Sequence, residues 1–171
     1  ATIGIAKIIK DTQPKFFDYA LSLNDKKEVR KLIIPLHPML LTSSSFGYKS
    51  SFTRLVTAVC DHPDYNDRSI VFNLNQDPEI FLELETDELK ILTFSKKSDL
   101  PKGIEKLDLS ELVFNKSPMF VCSPNSDSFK LSSILIDKFQ LNMERCLKNL
   151  RFIQQNKQAI EDKVRAIYKN D

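Results

Sequence analysis

The chain has no tryptophan, three glycines, three cysteines and two histidines in 171 residues. Each scarcity excludes a chemistry. With glycine only at Gly4, Gly47 and Gly103, the chain holds no P-loop, no G-x-G-x-x-G phosphate cradle and no G-x-S-x-G nucleophile turn. Cys60, Cys122 and Cys146 are an odd set without metal-ligand spacing, as expected of lone thiols in a reducing compartment. His37 and His62 each adjoin a proline and have no Cys or carboxylate partner at ligand spacing, so structural or turn roles are expected for both. No apolar run approaches the roughly 18 to 20 residues of a membrane helix. Neither a secretory signal nor an initiator Met opens the chain. The first residues, ATIGIAKIIK, read as helix interior, so the chain is expected to be a fragment that begins inside an element.

Carboxylates are plentiful but not gathered for catalysis. Asp77 and Glu79, with Glu83, Glu85, Asp87 and Glu88 of the helix-face pattern LELETDEL, could suggest a cation site but lack the spacing of an EF-hand loop. A solvated acidic face is the plain reading. No complete active site is visible, and neither a catalytic nor a metal-ligating set is assigned.

What the chain does have is a globular composition, 42% hydrophobic and 28% charged, with enough apolar content for a core. Its net charge of +2 is segregated. Residues 1–60 carry nine Lys/Arg against four Asp/Glu, residues 61–111 six against thirteen, and residues 112–171 ten against six. Basic ends around an acidic middle either fold into one basic face or remain three solvated surfaces of mixed sign.

Residues 1–11 are apolar on nearly every side and predict a helix buried in a larger body. Thr12-Gln13-Pro14 ends it and starts a second helix, with Pro14 in the first turn. Phe16, Phe17, Ala20, Leu21 and Leu23 form the apolar side of that helix. Asn24 is a candidate cap for a third helix reaching about Leu32. Strands are expected at Met39–Phe46, Arg54–Cys60 and Arg68–Leu74, where Ile70, Phe72 and Leu74 alternate. A short helix is expected at Thr86–Phe94, two more strands at 104–114 and 118–122, and a loop at 123–128. Two amphipathic helices close the chain. One carries Met143, Cys146, Leu147, Leu150 and Ile153, the other Ile160, Val164, Ile167 and Tyr168, with Asn142 and Asn156 as candidate caps. There is no internal repeat.

Several stretches, in this order, resemble the bacterial exodeoxyribonuclease I family: ATIGIAKIIKDTQPKFFDY, FGYKSSFTRLVTAVCDHP, LELETDELKILTFSKKSDL, FNKSP, and the helix pair from RCLKNLRFI to VRAIY. The resemblance covers essentially the whole chain. It implies an α+β fold, a small Src-homology-3-like β-barrel of about five strands flanked by N-terminal helices and a C-terminal helix pair. The implied domains are 1–34, the helical end of an exonuclease domain; 35–140, the Src-homology-3-like domain; and 141–171, the start of a helical domain. The family degrades single-stranded DNA from the 3′ end with four carboxylates, two Mg²⁺ ions and a general-base His. Those residues would fall before Ala1, so the chain is expected to be inactive alone, with Mg²⁺ required only by the longer protein. The implied setting is bacterial and cytoplasmic, without a membrane. The longer protein is expected to be a monomer, and the fragment to self-associate through its exposed first helix.

The resemblance also implies two partners. For single-stranded DNA, the stretch SFGYKSSFTR combines rings for stacking with cations for phosphates. Tyr48, Lys49 and Arg54 are the preferred contacts, with Phe46 and Ser50 beside them and Phe52 a further ring. Gly47 would let the backbone turn or approach the strand closely. The alternative is an ordinary connection between strands with Phe46 and Phe52 in the barrel core. Many relatives carry an aromatic residue and an Arg where this chain has Lys49 and Ser50. For the acidic, Phe-ending tail of single-stranded DNA-binding protein, Tyr19 matches a pocket residue, and Lys130 or Arg151 would supply a basic lip. Gln154 stands where the family has an arginine. Tyr19 packed against the barrel is the alternative. Three functions therefore stand side by side: a DNA-channel portion of an exonuclease, a peptide-binding module, and a structural bridge.

Overall fold

Strand β3 (Arg68–Asn73) has both faces buried. Ile70 and Phe72 belong to one apolar cluster and Val71 to another. That alternation makes it a central strand. The computed structural model, which describes residues 2–125 and 129–169, places β3 between β2 (Thr53–Asp61) and β4 (Leu109–Val113). Strands β1 (Met39–Thr42) and β5 (Met119–Cys122) complete an antiparallel sheet ordered β4-β3-β2-β1-β5. A bulge bends β2. Its register with β3 passes from Ala58↔Val71 to Cys60↔Ile70, leaving Val59 unpaired. Val59 and Cys60, although consecutive, therefore join the same cluster.

Helices cover both faces. The first cluster is capped by α4 (Ile80–Glu83), α5 (Thr86–Phe94), α7 (Met143–Gln155) and α8 (Lys157–Tyr168). Cys146, Leu150 and Ile153 of α7, and Ile160, Val164 and Ile167 of α8, pack with Leu55, Ile70 and Phe72 of the sheet. Buried Asn149 pins α7 to the chain after β3, its Nδ2 donating to the carbonyls of Leu74 (2.9 Å) and Gln76 (2.8 Å). The second cluster lies beneath α3 (Lys26–Leu32), with Leu23, Val29, Met39, Leu41, Val56 and Phe120. Each fully buried large side chain, such as Phe72, Phe81 or Phe120, stabilises by about 1.5–3 kcal/mol.

The two N-terminal helices, α1 (Thr2–Thr12) and α2 (Pro14–Ser22), pack on each other. Ile3, Ile5 and Ile8 remain exposed, Ile3 at 76%.

The structure is α+β, as expected, with five strands, but several local expectations are corrected. The first strand ends at Thr42 rather than Phe46. Ser43 Oγ accepts from Ser45 N and starts a 3-10 turn over Ser44–Phe46, the local bonding by which serine competes with a strand ladder. The fourth strand starts at Leu109 rather than 104. Leu107 before it is buried and donates its N–H to Leu92 O. Asp25, not Asn24, caps α3 by accepting from Lys27 N (2.8 Å), while Asn24 Oδ1 accepts from Ser117 Oγ. Asn142 caps α7 as expected, accepting from Arg145 N. Asn156 instead closes that helix, its Nδ2 donating to Phe152 O. Helices α4 and α6 (Ser133–Phe139) were not foreseen. Of the expected loop 123–128, residues 126–128 lie outside the described residues.

Candidate nucleic-acid interface

The connection from β1 to β2 is built by its own main chain. Ser43 N donates to Phe52 O, Phe52 N to Gly47 O and Ser51 N to Tyr48 O. Closing so short a loop forces unusual backbone. Gly47 has φ 79° and ψ 161°, a region essentially open only to glycine. Ser51 and Phe52 both take positive φ, 50° and 59°, which is uncommon for residues with a Cβ. This frame lifts Tyr48, 77% exposed, and Lys49 into solvent.

The other residues expected there are placed differently. Phe46 is buried in the second cluster, and the Arg54 guanidinium lies over its ring, 4.3 Å from the centroid. Arg54 Nη1 also donates to Asp108 Oδ1 at 2.5 Å. Asp108 Oδ2 in turn accepts from Asn73 Nδ2 at 2.7 Å. Arg54 is thus held between a ring and a carboxylate. Ser50 Oγ is buried without a hydrogen-bond partner. Phe52 is 43% exposed.

Phe46 and Arg54 form one wall of a groove of about 620 Å³. Its other walls bring in Lys97, Lys106 and Arg145, all exposed. These three cations, distant in sequence, were not singled out from it. No spacing marks them, because the fold gathers them from three separate segments.

The second set does not converge in this way. Tyr19 is half-buried beside the second cluster, its Oη donating to Phe120 O at 2.5 Å. Burial, and secondarily Cys122, raises its phenol above the ordinary range. Arg151 is exposed on α7, which packs on the opposite face of the sheet. Lys130 is exposed just beyond residues 126–128. Among the described residues, the Tyr19 hydroxyl bonds to Phe120 O and to neither cation. Gln154 donates Nε2–H to Leu36 O at 2.9 Å and so fastens α7 to the Pro35 segment.

The remaining reactive groups serve the fold. His62 is buried between the Tyr65 and Tyr168 rings, with Nδ1 accepting from Asp64 N. His37 Nδ1 lies 3.1 Å from Pro35 O. Glu88 accepts from Glu85 N and closes the first turn of α5, while Lys163 pairs with Glu85. Burial pushes the Cys60 thiol up to about 12 and the Cys146 thiol up to about 11, which removes their nucleophilic thiolates at neutral pH. Among the described residues no group of three or more His, Cys, Asp or Glu could hold a metal ion. No helix among them is long and apolar enough to cross a membrane.

Residues 24–170 match the family described as the exonuclease I SH3-like domain. Exodeoxyribonuclease I of Escherichia coli strain K12 is 29% identical over 170 residues, which cover 98% of this chain and 34% of that protein. The crystal structure of E. coli exonuclease I in complex with an oligonucleotide is similar with a TM-score of 0.86 and 28% identity, over 99% of this chain and 36% of that one. The ExoI/SSB-Ct complex is similar with a TM-score of 0.83 and 29% identity, over 99% of this chain and 36% of that one. The chain therefore spans about a third of the length of these proteins. Matched over most of its length by one family and by structures of the same fold, the chain belongs to the exonuclease I SH3-like domain family.

Proposed function

We propose that the chain is the non-catalytic, channel-forming part of a longer 3′→5′ single-strand exonuclease of DNA repair and recombination, and that it holds single-stranded DNA beside an active site built by other residues. One observation carries this reading: exposed Tyr48 and Lys49 stand on a strained turn that follows Phe46, and Phe46 lines a groove that holds Lys97, Lys106 and Arg145. A ring for base stacking next to exposed cations is what a sequence-tolerant single-strand groove needs. Similarity to E. coli exonuclease I solved with an oligonucleotide supports it. In this reading metal-dependent hydrolysis belongs to the rest of the longer protein, because the chain spans only about a third of the exodeoxyribonuclease I it resembles. Tyr48→Ala and Lys49→Ala test the contact. Each is expected to weaken binding of a labelled single-stranded oligonucleotide, the tyrosine by about 1–3 kcal/mol if one base stacks on it. Unchanged binding in both variants would refute the contact.

A second reading is favoured by the ExoI/SSB-Ct similarity. In it, the acidic tail of single-stranded DNA-binding protein docks near Tyr19, with Lys130 or Arg151 as its basic lip. A titration with an acidic, Phe-ending peptide against wild type and Tyr19→Ala tests it. Equal affinity for both would remove Tyr19 from any such site. Binding of neither peptide nor oligonucleotide would leave a purely structural bridge.

A further inference from the structure

We infer that helix α6 is a brace for the Tyr48–Lys49 turn, and that Gln140 and Asn75, which hold the brace, are positioning residues for the strand that this turn grips. The inference rests on the DNA-holding reading above and adds to it a helix that lines no part of the groove beside Phe46.

Helix α6 has no buried residue, and its Ile134 is 76% exposed. A helix of seven residues without a buried side is not stable by itself, so what it touches must hold it. Among the elements, its main contact is with the 3-10 turn Tyr48–Ser50. That turn has a presented side and a covered side. Tyr48 and Lys49 project into solvent, while Ser50 Oγ is buried. The backbone around it is strained, with positive φ at Gly47, Ser51 and Phe52. Such strain persists only where the surroundings fix it. Two main-chain bonds, Phe52 N to Gly47 O and Ser51 N to Tyr48 O, supply part of that restraint, and α6 supplies the rest. The helix meets the turn while Tyr48 stays 77% exposed, so it supports the ring without covering it.

The far end of α6 is fixed at two residues. Gln140 ends the helix in the left-handed region, at φ 52°, and its N–H donates to Asp137 O. Asn75 clasps the junction of α6 and α7. Its Nδ2 donates to Gln140 O (3.1 Å) and its Oδ1 accepts from Asn142 N (3.2 Å). Asn75 N donates in turn to Asn73 Oδ1, and Asn73 Nδ2 donates to Asp108 Oδ2. Asp108 Oδ1 accepts from Arg54, at the start of β2 just beyond the turn. These contacts close a ring. It runs from the turn through Arg54, Asp108, Asn73 and Asn75 to Gln140, then along α6 and back to the turn. Packed contacts and hydrogen bonds joined in this way transmit a change at one member to the others. Loosening α6 at Gln140 therefore loosens the turn at its other end.

Gln140 is exposed and lies outside the groove, so its substitution leaves the groove's own side chains in place. Gln140→Val puts a β-branched side chain at a positive φ, which it resists, whereas Gln140→Gly adopts that φ freely. Amide hydrogen exchange is measured on the whole chain for wild type and both variants. An oligothymidylate of about 16 nucleotides is titrated into the same three proteins. Gln140→Val is expected to speed exchange about tenfold at Ile136 and Leu141 and, together with them, at Ser51 and Phe52 in the turn. Leu150 and Ile153 of α7 should stay protected, which checks that the fold is kept. The same variant is expected to bind the oligonucleotide about three- to tenfold more weakly than wild type. Gln140→Gly should bind at least as tightly as wild type. Exchange at Ser51 and Phe52 unchanged in Gln140→Val would overturn the brace while leaving the turn as the DNA contact. Equal binding by all three proteins would overturn the positioning role, and tighter binding by Gln140→Val would overturn it by making α6 a cover. No binding of the oligonucleotide to wild type would overturn the DNA-holding reading and the positioning role with it, and exchange at Ser51 and Phe52 would still show whether α6 holds the turn.

Discussion

Arg54 shows how a residue chosen for its charge can be used up by its neighbours. Its guanidinium covers the Phe46 ring and donates to Asp108, and the side chains of Arg54 and Asp108 are only 26% and 21% exposed. Removing one partner leaves the other poorly solvated, so Arg54→Ala is expected to lower unfolding free energy by about 1–3 kcal/mol. Arg54→Lys should not restore it fully, because a lysine lacks the planar fork that stacks and bonds at once. Urea unfolding of both variants checks this, and full rescue by lysine would contradict it. The buried thiols give a second expectation. Burial lifts Cys60 to about 12 and Cys146 to about 11, from an ordinary value of 9.0. The folded chain thus holds these protons more tightly than the unfolded one. Stability is full below about pH 9 and is lost as pH rises toward the folded values. Melting measured from pH 7 to 11 should show this decline. Cys60→Ala and Cys146→Ala should each flatten it, and an identical alkaline slope in both variants would rule the thiols out.

Among the elements, α7 is the one on which most depends. It seals the first core with Leu150 and Ile153 and fastens itself with Asn149, 5% exposed, to two carbonyls. Asn149→Ala leaves both carbonyls unsatisfied and is expected to destabilise by about 2–3 kcal/mol. Asn149→Asp, which loses the donors, should do at least as badly. A change below about 0.5 kcal/mol in chemical denaturation would show that water replaces the amide. This helix was legible in the sequence, and for physical reasons. Its apolar stripe has a helical period, and Asn142 carries its cap locally. Strand β3 was legible in the same way, from alternation, and α5 lies where a short helix was expected. The limits of β1 and β4 were less so, because Ser43–Ser45 bonding and the burial of Leu107 depend on neighbours. Helix α6 shows no such signal, being short and without a buried residue. The candidate site was legible only at Tyr48 and Lys49. Lys97, Lys106 and Arg145 meet through tertiary packing, which no local pattern records.

For the whole molecule, the central claim is that one groove gathers the free cations Lys97, Lys106 and Arg145, and that the turn carrying the exposed Tyr48 ring follows its Phe46 wall, although the net charge is only +2. The acidic middle of the chain does not cancel that surface everywhere, because several of its carboxylates are engaged elsewhere. Asp61 pairs with Arg30, Asp67 and Glu111 with Arg68, Glu85 with Lys163 and Asp108 with Arg54. The free cations are left for an outside anion, and binding to them must weaken as salt rises. The most direct measurement is the fluorescence anisotropy of a labelled single-stranded oligonucleotide titrated with this chain, with Mg²⁺ present, at low and at moderate salt. The account predicts binding that weakens with salt while the oligonucleotide stays intact. No binding at low salt would contradict the DNA-holding role, and cleavage of the oligonucleotide would contradict the assignment of catalysis to residues outside this chain.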